Sequence, residues 1–214
     1  MHPRRVCLLL LGLTALALCL PAEAQIVARL RADTSGAGPY ALQLARRAFD
    51  TYCLTRTPIT IPSDLPPLLQ QRAGVFVSGQ VDGAPRCCMG LLRPRGRNLA
   101  ADIISAAIAA AAHDERFAPL QPKELSHLRL IVSVLDPPQA IADPAGLDPL
   151  TDGLAVRSSC RTGVVLPGET GLTDRFVSWA LTRAAARAGE PVQYFRLQAI
   201  RYIEPPSQQA RLWR

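Results

Sequence analysis

Hydrophobic positions recur with two different periods along the chain, which predicts both helices and strands. Apolar residues spaced three or four positions apart predict a helix over 39–54, a long alanine-rich helix after Asn98 and a third helix over 174–188. Asn98 and Thr173 are suitable N-caps for the last two helices, and Gly189 is a typical helix stop.

Alternation with a period of two predicts a strand over 75–81, followed by a turn at Asp82 and Gly83 and a second strand over 88–92. Further strands are predicted in the ranges 128–135, 153–156, 163–166 and 192–203, and proline-rich loops over 57–67 and 136–152. Because helices separate only some of the strands, we predict an α+β fold with a largely antiparallel sheet flanked by helices.

The two ends of the chain differ from this pattern. Two arginines precede the apolar run 6–20, Pro21 ends the run, and the small-x-small sequence Ala22-Glu23-Ala24 follows. We therefore expect 1–24 to be a signal peptide, and the protein to be exported (periplasmic or secreted) without a stable membrane anchor after cleavage. Residues 25–38 lack periodicity, so we expect a flexible arm there. We predict one domain over 39–204 and a disordered tail over 205–214.

Composition, charge and the absence of certain motifs argue against several classes of protein. A hydrophobic content of 49% is too high for a disordered chain, and the formal net charge is +7. All but one of the 24 basic residues are arginines, which together with the many alanines and prolines indicates a codon preference rather than a function. With aromatic residues at 5% and no stripe of alternating basic and aromatic residues, we expect no nucleic-acid partner. P-loop and G-x-G-x-x-G motifs are absent.

Cysteines and arginines are the candidate functional groups. Four cysteines follow the predicted cleavage point, at positions 53, 87, 88 and 160, and their pairing stays open. A thiolate at Cys88 beside Arg86 would have a depressed pKa and could act as a nucleophile or as a metal ligand. The alternative is a structural role in a tight turn or a disulfide, which we favour because no general base is identified. No C-x-x-C or H-x-x-x-H spacing is present, so we predict no metal site.

Two further groups of charged residues each allow two interpretations. The three arginines of 93–97, with Arg95 at the centre, stand before a predicted helix N-terminus, where they could bind a phosphate or carboxylate or form a solvated loop. Arg116 could line a binding site, or it could pair with Asp114 and satisfy the preceding helix end.

The segment Gly-Val-Phe-Val-Ser at 74–78, followed by the turn and by Arg-Cys-Cys-Met-Gly at 86–90, resembles the signature of the AMMECR domain family. Its bacterial members are called protein A of the AmmeMemoRadiSam system, and its motif reads G-x-F-V-T/S, a short turn and then R-G-C-I-G. Further matches occur in the family's order at 114–117, 132–135, 153–156 and 161–167. The chain departs from the family at Cys87, where the family has Gly, and at Gly168, where it has Gln or Glu.

The resemblance implies a two-lobed α+β domain with a groove, a Memo-type partner and, indirectly, a radical S-adenosylmethionine enzyme. The cluster motif C-x-x-x-C-x-x-C of such enzymes is absent here, so that chemistry would belong to a partner, and no cofactor is specified. Since neighbouring strand residues point to opposite faces, we expect Cys88 to face the groove and Cys87 to be buried.

These observations lead to one leading hypothesis and two alternatives. The leading hypothesis is an exported binding or accessory module whose groove uses Arg86, Cys88, Arg95 and Arg116. The first alternative is a thiol-dependent enzyme, with Cys88 as nucleophile and Arg86 as electrophilic stabiliser for a small anionic substrate. The second is an envelope protein in which the domain is only a scaffold.

Overall fold

A computed structural model describes residues 25–205 of the chain, except for the side chains of Thr173 and Asp174, so the predicted signal peptide and residues 206–214 of the predicted tail lie outside the described residues. Helices and strands follow one another as α1 (Ile26–Arg31), α2 (Ala37–Thr55), β1 (Gly74–Val81), β2 (Ala84–Leu91), α3 (Leu99–Ala112), β3 (Leu128–Leu135), β4 (Gln139–Ile141), β5 (Gly153–Arg157), β6 (Thr162–Val165), α4 (Thr173–Arg183), β7 (Gln193–Leu197) and β8 (Ala199–Ile203). Short 3-10 helices cover Pro67–Gln70 and Pro122–Glu124.

The strands form two antiparallel sheets of four strands each, with the orders β2-β1-β3-β8 (sheet A) and β4-β7-β5-β6 (sheet B). The predicted α+β class is therefore correct. Helices α1, α2 and α3 cover one face of sheet A, and α4 covers sheet B. A smaller cluster, which includes Phe76 and Leu135 from sheet A and Ala155 and Leu197 from sheet B, joins the two sheets.

Local signals explain the best-predicted elements. Asp82 and Gly83 both have positive φ, at 51° and 82°, and make the tight turn between β1 and β2. The Asn98 side chain accepts a hydrogen bond from the N–H of Ala101 at 3.0 Å and so caps α3. The predicted Thr173 cap is wrong: Thr173 is the first residue of α4, Leu172 precedes it without a side-chain cap, and the helix ends at Arg183.

Two predicted segments differ from the structure. The range 25–38 is not a flexible arm, since α1 buries Ile26 and Leu30 in the core and Asp136 accepts a hydrogen bond from the N–H of Val27 at 3.1 Å. A helix of six residues is too short to show a clear apolar period in sequence. The strand predicted over 192–203 is two strands, because the chain passes from sheet B to sheet A at Gln198.

Within residues 25–205, no helix combines the length and the apolar character that crossing a membrane requires.

Candidate functional site

A groove of about 110 Å³ lies between sheet A and the segment that joins β6 to α4. The register of sheet A places Cys88 of β2 opposite Ser78 of β1, and Ser133 of β3 opposite Arg201 of β8. All four residues line the groove. The loop residue Glu169 and two side chains of α4, Trp179 and Arg183, also line it. The remaining lining residues are Arg116, Gln80, Cys87 and several apolar residues and glycines.

The adjacent cysteines take opposite faces of sheet A. Cys87 is 2% exposed and packs in the cluster beneath the helices, whereas Cys88 is half-buried and packs toward sheet B. Strand alternation therefore predicted their orientation correctly. All four cysteines of the described residues, Cys53, Cys87, Cys88 and Cys160, are free thiols.

The Cys88 thiol does not have the depressed pKa that its arginine neighbours suggested. Burial and, to a smaller extent, the charge of Glu169 raise the pKa of this thiol to about 11, although a hydrogen bond from Ser78 Oγ at 3.1 Å and the charges of Arg116 and Arg183 partly oppose the shift. The described histidines, His113 and His127, do not line the groove. The thiol is therefore protonated near neutral pH.

Asp114 and Arg116 form a clamp around the backbone of Cys88. The carboxylate of Asp114 accepts hydrogen bonds from Arg116 Nε at 2.9 Å, from Arg116 Nη2 at 2.7 Å and from the N–H of Cys88 at 2.8 Å. Arg116 Nη2 also donates to the carbonyl oxygen of Cys88 at 3.3 Å. Burial opposes ionisation of Asp114, but the hydrogen bonds from Arg116 and Cys88 outweigh it and lower the pKa of the carboxyl. Arg116 therefore pairs with Asp114 and also lines the groove, but the two side chains bond the backbone of Cys88 and not the end of α3.

Arg86 does not line the groove, although alternation with Cys88 places it on the same face. Residues Gly79 and Gln80 pair with Cys87 and Pro85, so Arg86 has no partner in the ladder and sits in a β-bulge, which re-aims its side chain. Its guanidinium instead binds Glu124, with Nε–Oε1 at 2.7 Å and Nη2–Oε2 at 3.1 Å. The predicted role of Arg86 in the groove is wrong for this reason.

Arg95 is also outside the groove. It lines a separate cavity of about 210 Å³ with Arg93 and Arg157. The anion position at the start of α3 is filled by the chain's own Asp102, which is 2% exposed and accepts hydrogen bonds from the N–H groups of Arg95 at 3.2 Å and Gly96 at 2.7 Å. The loop is thus held by an internal carboxylate.

Arg201 was missed in the sequence and is the most unusual group of the groove. Its Nη1 donates to the carbonyl oxygen of Pro167 at 2.7 Å, but among the side chains that the structure describes its buried Nε has no hydrogen-bond partner and no carboxylate pairs with it. Burial lowers the pKa of Arg201, against the opposing charge of Glu169. Gly168 (φ 69°) permits this arrangement, since a Cβ there would lie 2.6 Å from Arg201 Nη1.

Ser133 was missed as well. It is 0% exposed, and its Oγ is the other buried side-chain atom without a partner among the described residues. A serine between Val132 and Val134 in a buried strand was a detectable signal, because buried polar side chains are normally hydrogen-bonded.

The groove is positively charged. Arg116, Arg183 and Arg201 line it, against Glu169 as its carboxylate. Arg183 Nη1 binds Glu169 Oε2 at 2.5 Å, and Arg116 is paired with Asp114, whereas Arg201 forms no ion pair with a described side chain. Among the described side chains, no group of three or more His, Cys, Asp or Glu residues is arranged to hold a metal ion. The arrangement can therefore hold an anionic group beside Ser133 and Arg201.

Comparison with known proteins gives a consistent picture. A protein of Thermotoga maritima is 38% identical over 141 residues, which cover 63% of this chain and 80% of the relative. A protein of Thermofilum pendens is 32% identical over 191 residues, which cover 78% of this chain and 89% of the relative. The crystal structure of the uncharacterised protein PH0010 from Pyrococcus horikoshii superposes with a TM-score of 0.67 at 29% identity, covering 80% of this chain and 93% of that one.

The AMMECR1 family model matches residues 42–203, a range that includes both sheets and every residue named above as lining the groove. With most of the chain covered by that match, this protein belongs to the AMMECR1 family.

Proposed function

We propose that this protein is an exported binding or accessory module that holds an anionic group of its ligand in the groove between the two sheets. The observation that carries the proposal is the state of Ser133 and Arg201, whose buried polar atoms lack partners in the described chain. An unsatisfied buried donor costs about 1–3 kcal/mol, so an anion that accepts from both would relieve that cost. The resemblance to the family suggests a Memo-type protein as the partner.

Thermal unfolding in acetate, phosphate and sulfate, compared with chloride at equal ionic strength, tests this proposal. We expect the anions to raise the melting temperature of the wild type, because they bind the folded state only. The gain that is specific to the groove should disappear in Arg201→Gln, which leaves only the general stabilisation that excluded anions such as sulfate give a folded protein. The specific gain should persist in Arg161→Gln, which makes the same change of charge at an exposed site outside the groove. An equal gain in both variants would contradict the proposal.

A thiol-dependent enzyme remains the alternative function, and the presence of Cys88 in the groove favours it. The raised pKa of about 11 weighs against a nucleophilic role in the free protein, since the thiolate is the reactive form. We therefore place the binding module first.

Export is a separate part of the proposal and rests on the N-terminal sequence. N-terminal sequencing of the protein recovered from the periplasm or medium should begin at or near Gln25. Recovery of cytoplasmic protein that still begins at Met1 would contradict export and leave the groove proposal intact.

A further inference from the structure

Apolar side chains are exposed beside the groove. Five large hydrophobic residues are exposed in the range 25–205, and three of them, Leu150 at 63%, Leu172 at 49% and Trp179 at 36%, belong to the segments that border it. Trp179 lines the groove directly. These three side chains are called the apolar rim below.

The two leucines lie close to the loop that closes the groove. The N–H of Gly168 donates to the carbonyl oxygen of Pro149 at 2.8 Å, which holds the neighbouring Leu150 against this loop. A Leu150 methyl carbon lies 4.0 Å from where a Cβ of Gly171 would stand, and Leu172 is the next residue. The apolar rim therefore continues outward from the polar groove.

The size of the groove restricts what can bind there. Its volume of about 110 Å³ corresponds to only three or four water molecules at ~30 Å³ each. Pockets that enclose a complete small-molecule ligand are typically ~300–1,000 Å³. The groove can therefore enclose one small group, while the remainder of the ligand lies outside over the apolar rim.

The unpartnered atoms restrict the chemistry of that group. The guanidinium of Arg201 lacks a carboxylate partner among the described residues, so the group is an anion. Ser133 Oγ and Arg201 Nε are two free donors, which match the two oxygens of a carboxylate.

We infer that the groove and the apolar rim together bind a peptide segment of a partner protein in which an acidic side chain stands next to an apolar one. The carboxylate enters the groove at Ser133 and Arg201, and the apolar side chain covers Leu150, Leu172 and Trp179. This inference rests on the proposed function, because it names the carrier of the anion.

Selection of phage-displayed heptapeptides on the full chain, with counter-selection on Arg201→Gln, tests the inference. We expect the selected peptides to carry Asp or Glu beside a leucine, isoleucine or aromatic residue. For a synthetic peptide of that sequence, fluorescence polarisation should show at least tenfold weaker binding to Arg201→Gln. Replacing the acidic residue of the peptide by its amide should have a similar effect.

The apolar rim has a matched control. Leu150→Ser should weaken peptide binding about fivefold, whereas Leu54→Ser should leave it unchanged, since Leu54 is also 63% exposed but lies near the end of α2. Circular dichroism confirms that each variant is folded. Equal effects of the two leucine variants would show that the apolar rim does not take part.

Other outcomes overturn the inference in recognisable ways. Peptides without an acidic residue, unchanged binding to Arg201→Gln, or no selected peptide at all would each refute it. Binding that is tenfold tighter when phosphoserine replaces the acidic residue would assign the groove to a phosphopeptide instead. If acetate still stabilises the protein through Arg201 while no peptide binds, the proposed function stands and this inference fails. If neither binds, both fail.

Discussion

Asp114 and Arg116 differ strongly in exposure, and this difference makes their contributions to stability separable. The side chain of Asp114 is 5% exposed, whereas that of Arg116 is 46% exposed. Removing the side chain of Arg116 leaves a buried carboxylate that keeps only backbone donors, the N–H of Cys88 at 2.8 Å and the N–H of residue 116 at 3.2 Å. Removing the charge of Asp114 leaves a guanidinium that water can reach, and an asparagine oxygen can still accept from Cys88.

We therefore expect Arg116→Gln to cost more than Asp114→Asn. Breaking a buried ion pair by removing one partner costs about 3–5 kcal/mol, which the exposure of Arg116 reduces to about 2–4 kcal/mol. For Asp114→Asn the lost hydrogen bonds join a partly exposed guanidinium, so we expect a smaller cost of about 1–2 kcal/mol. Urea denaturation at pH 7 measures both values, with Arg161→Gln as a control for a change of charge at an exposed arginine.

The pH dependence gives a second check on the same pair. The pKa of Asp114 is lowered in the folded protein. The contribution of this carboxylate to stability is therefore present above its pKa in the unfolded chain, about 3.9, and is lost as the pH falls through its pKa in the folded protein. In Arg116→Gln the hydrogen bonds from the guanidinium are lost, so we expect this pKa to be higher than in the wild type. The gap in unfolding free energy between the two proteins should therefore narrow from pH 7 to pH 3. A constant gap, or a larger cost for Asp114→Asn, would refute the reasoning.

Three further predictions follow from the structure. Iodoacetamide at pH 7 should label the exposed Cys160 well before Cys88, because a pKa of about 11 leaves about one Cys88 thiol in 10⁴ ionised; equal labelling rates by mass spectrometry would contradict this. Leu30→Ala should lower the free energy of unfolding, measured in urea, by about 2–4 kcal/mol, because Leu30 is buried; no change would be expected if 25–38 were a flexible arm. Gly168→Ala should destabilise the protein by at least ~1 kcal/mol and diminish the stabilisation by acetate, because its Cβ displaces Arg201; unchanged acetate stabilisation would be evidence against this contact.

The sequence predicted those parts of the fold that depend on local signals. The Asp82–Gly83 turn, the cap at Asn98 and the apolar run of β3 specify their elements through neighbouring residues alone. The split of the last strand at Gln198 was not predicted, because both halves alternate and only the pairing with different sheets separates them. Helix α1 is stabilised by contacts to β3 and β8, which are distant in sequence.

The same distinction applies to the site. Cys88 and Arg116 were predicted, because a strand motif and a short D-x-R sequence contain them. Arg86 was placed wrongly because a single bulge changes the face of a side chain without a mark in the sequence. Arg201 and Arg183 could not be found in this way, since the fold brings them together from β8 and α4.

The position of the groove links ligand binding to the arrangement of the two sheets. Arg201 belongs to sheet A, but its Nη1 bonds the carbonyl oxygen of Pro167, which follows the strand β6 of sheet B. Arg183 belongs to α4, which packs on sheet B. An anion held by Ser133 and Arg201 therefore lies in a groove that residues from both halves of the molecule line. Its binding free energy adds to the free energy that holds the two sheets together. The ligand should therefore raise the midpoint of a single cooperative unfolding transition, and the two halves should not unfold separately.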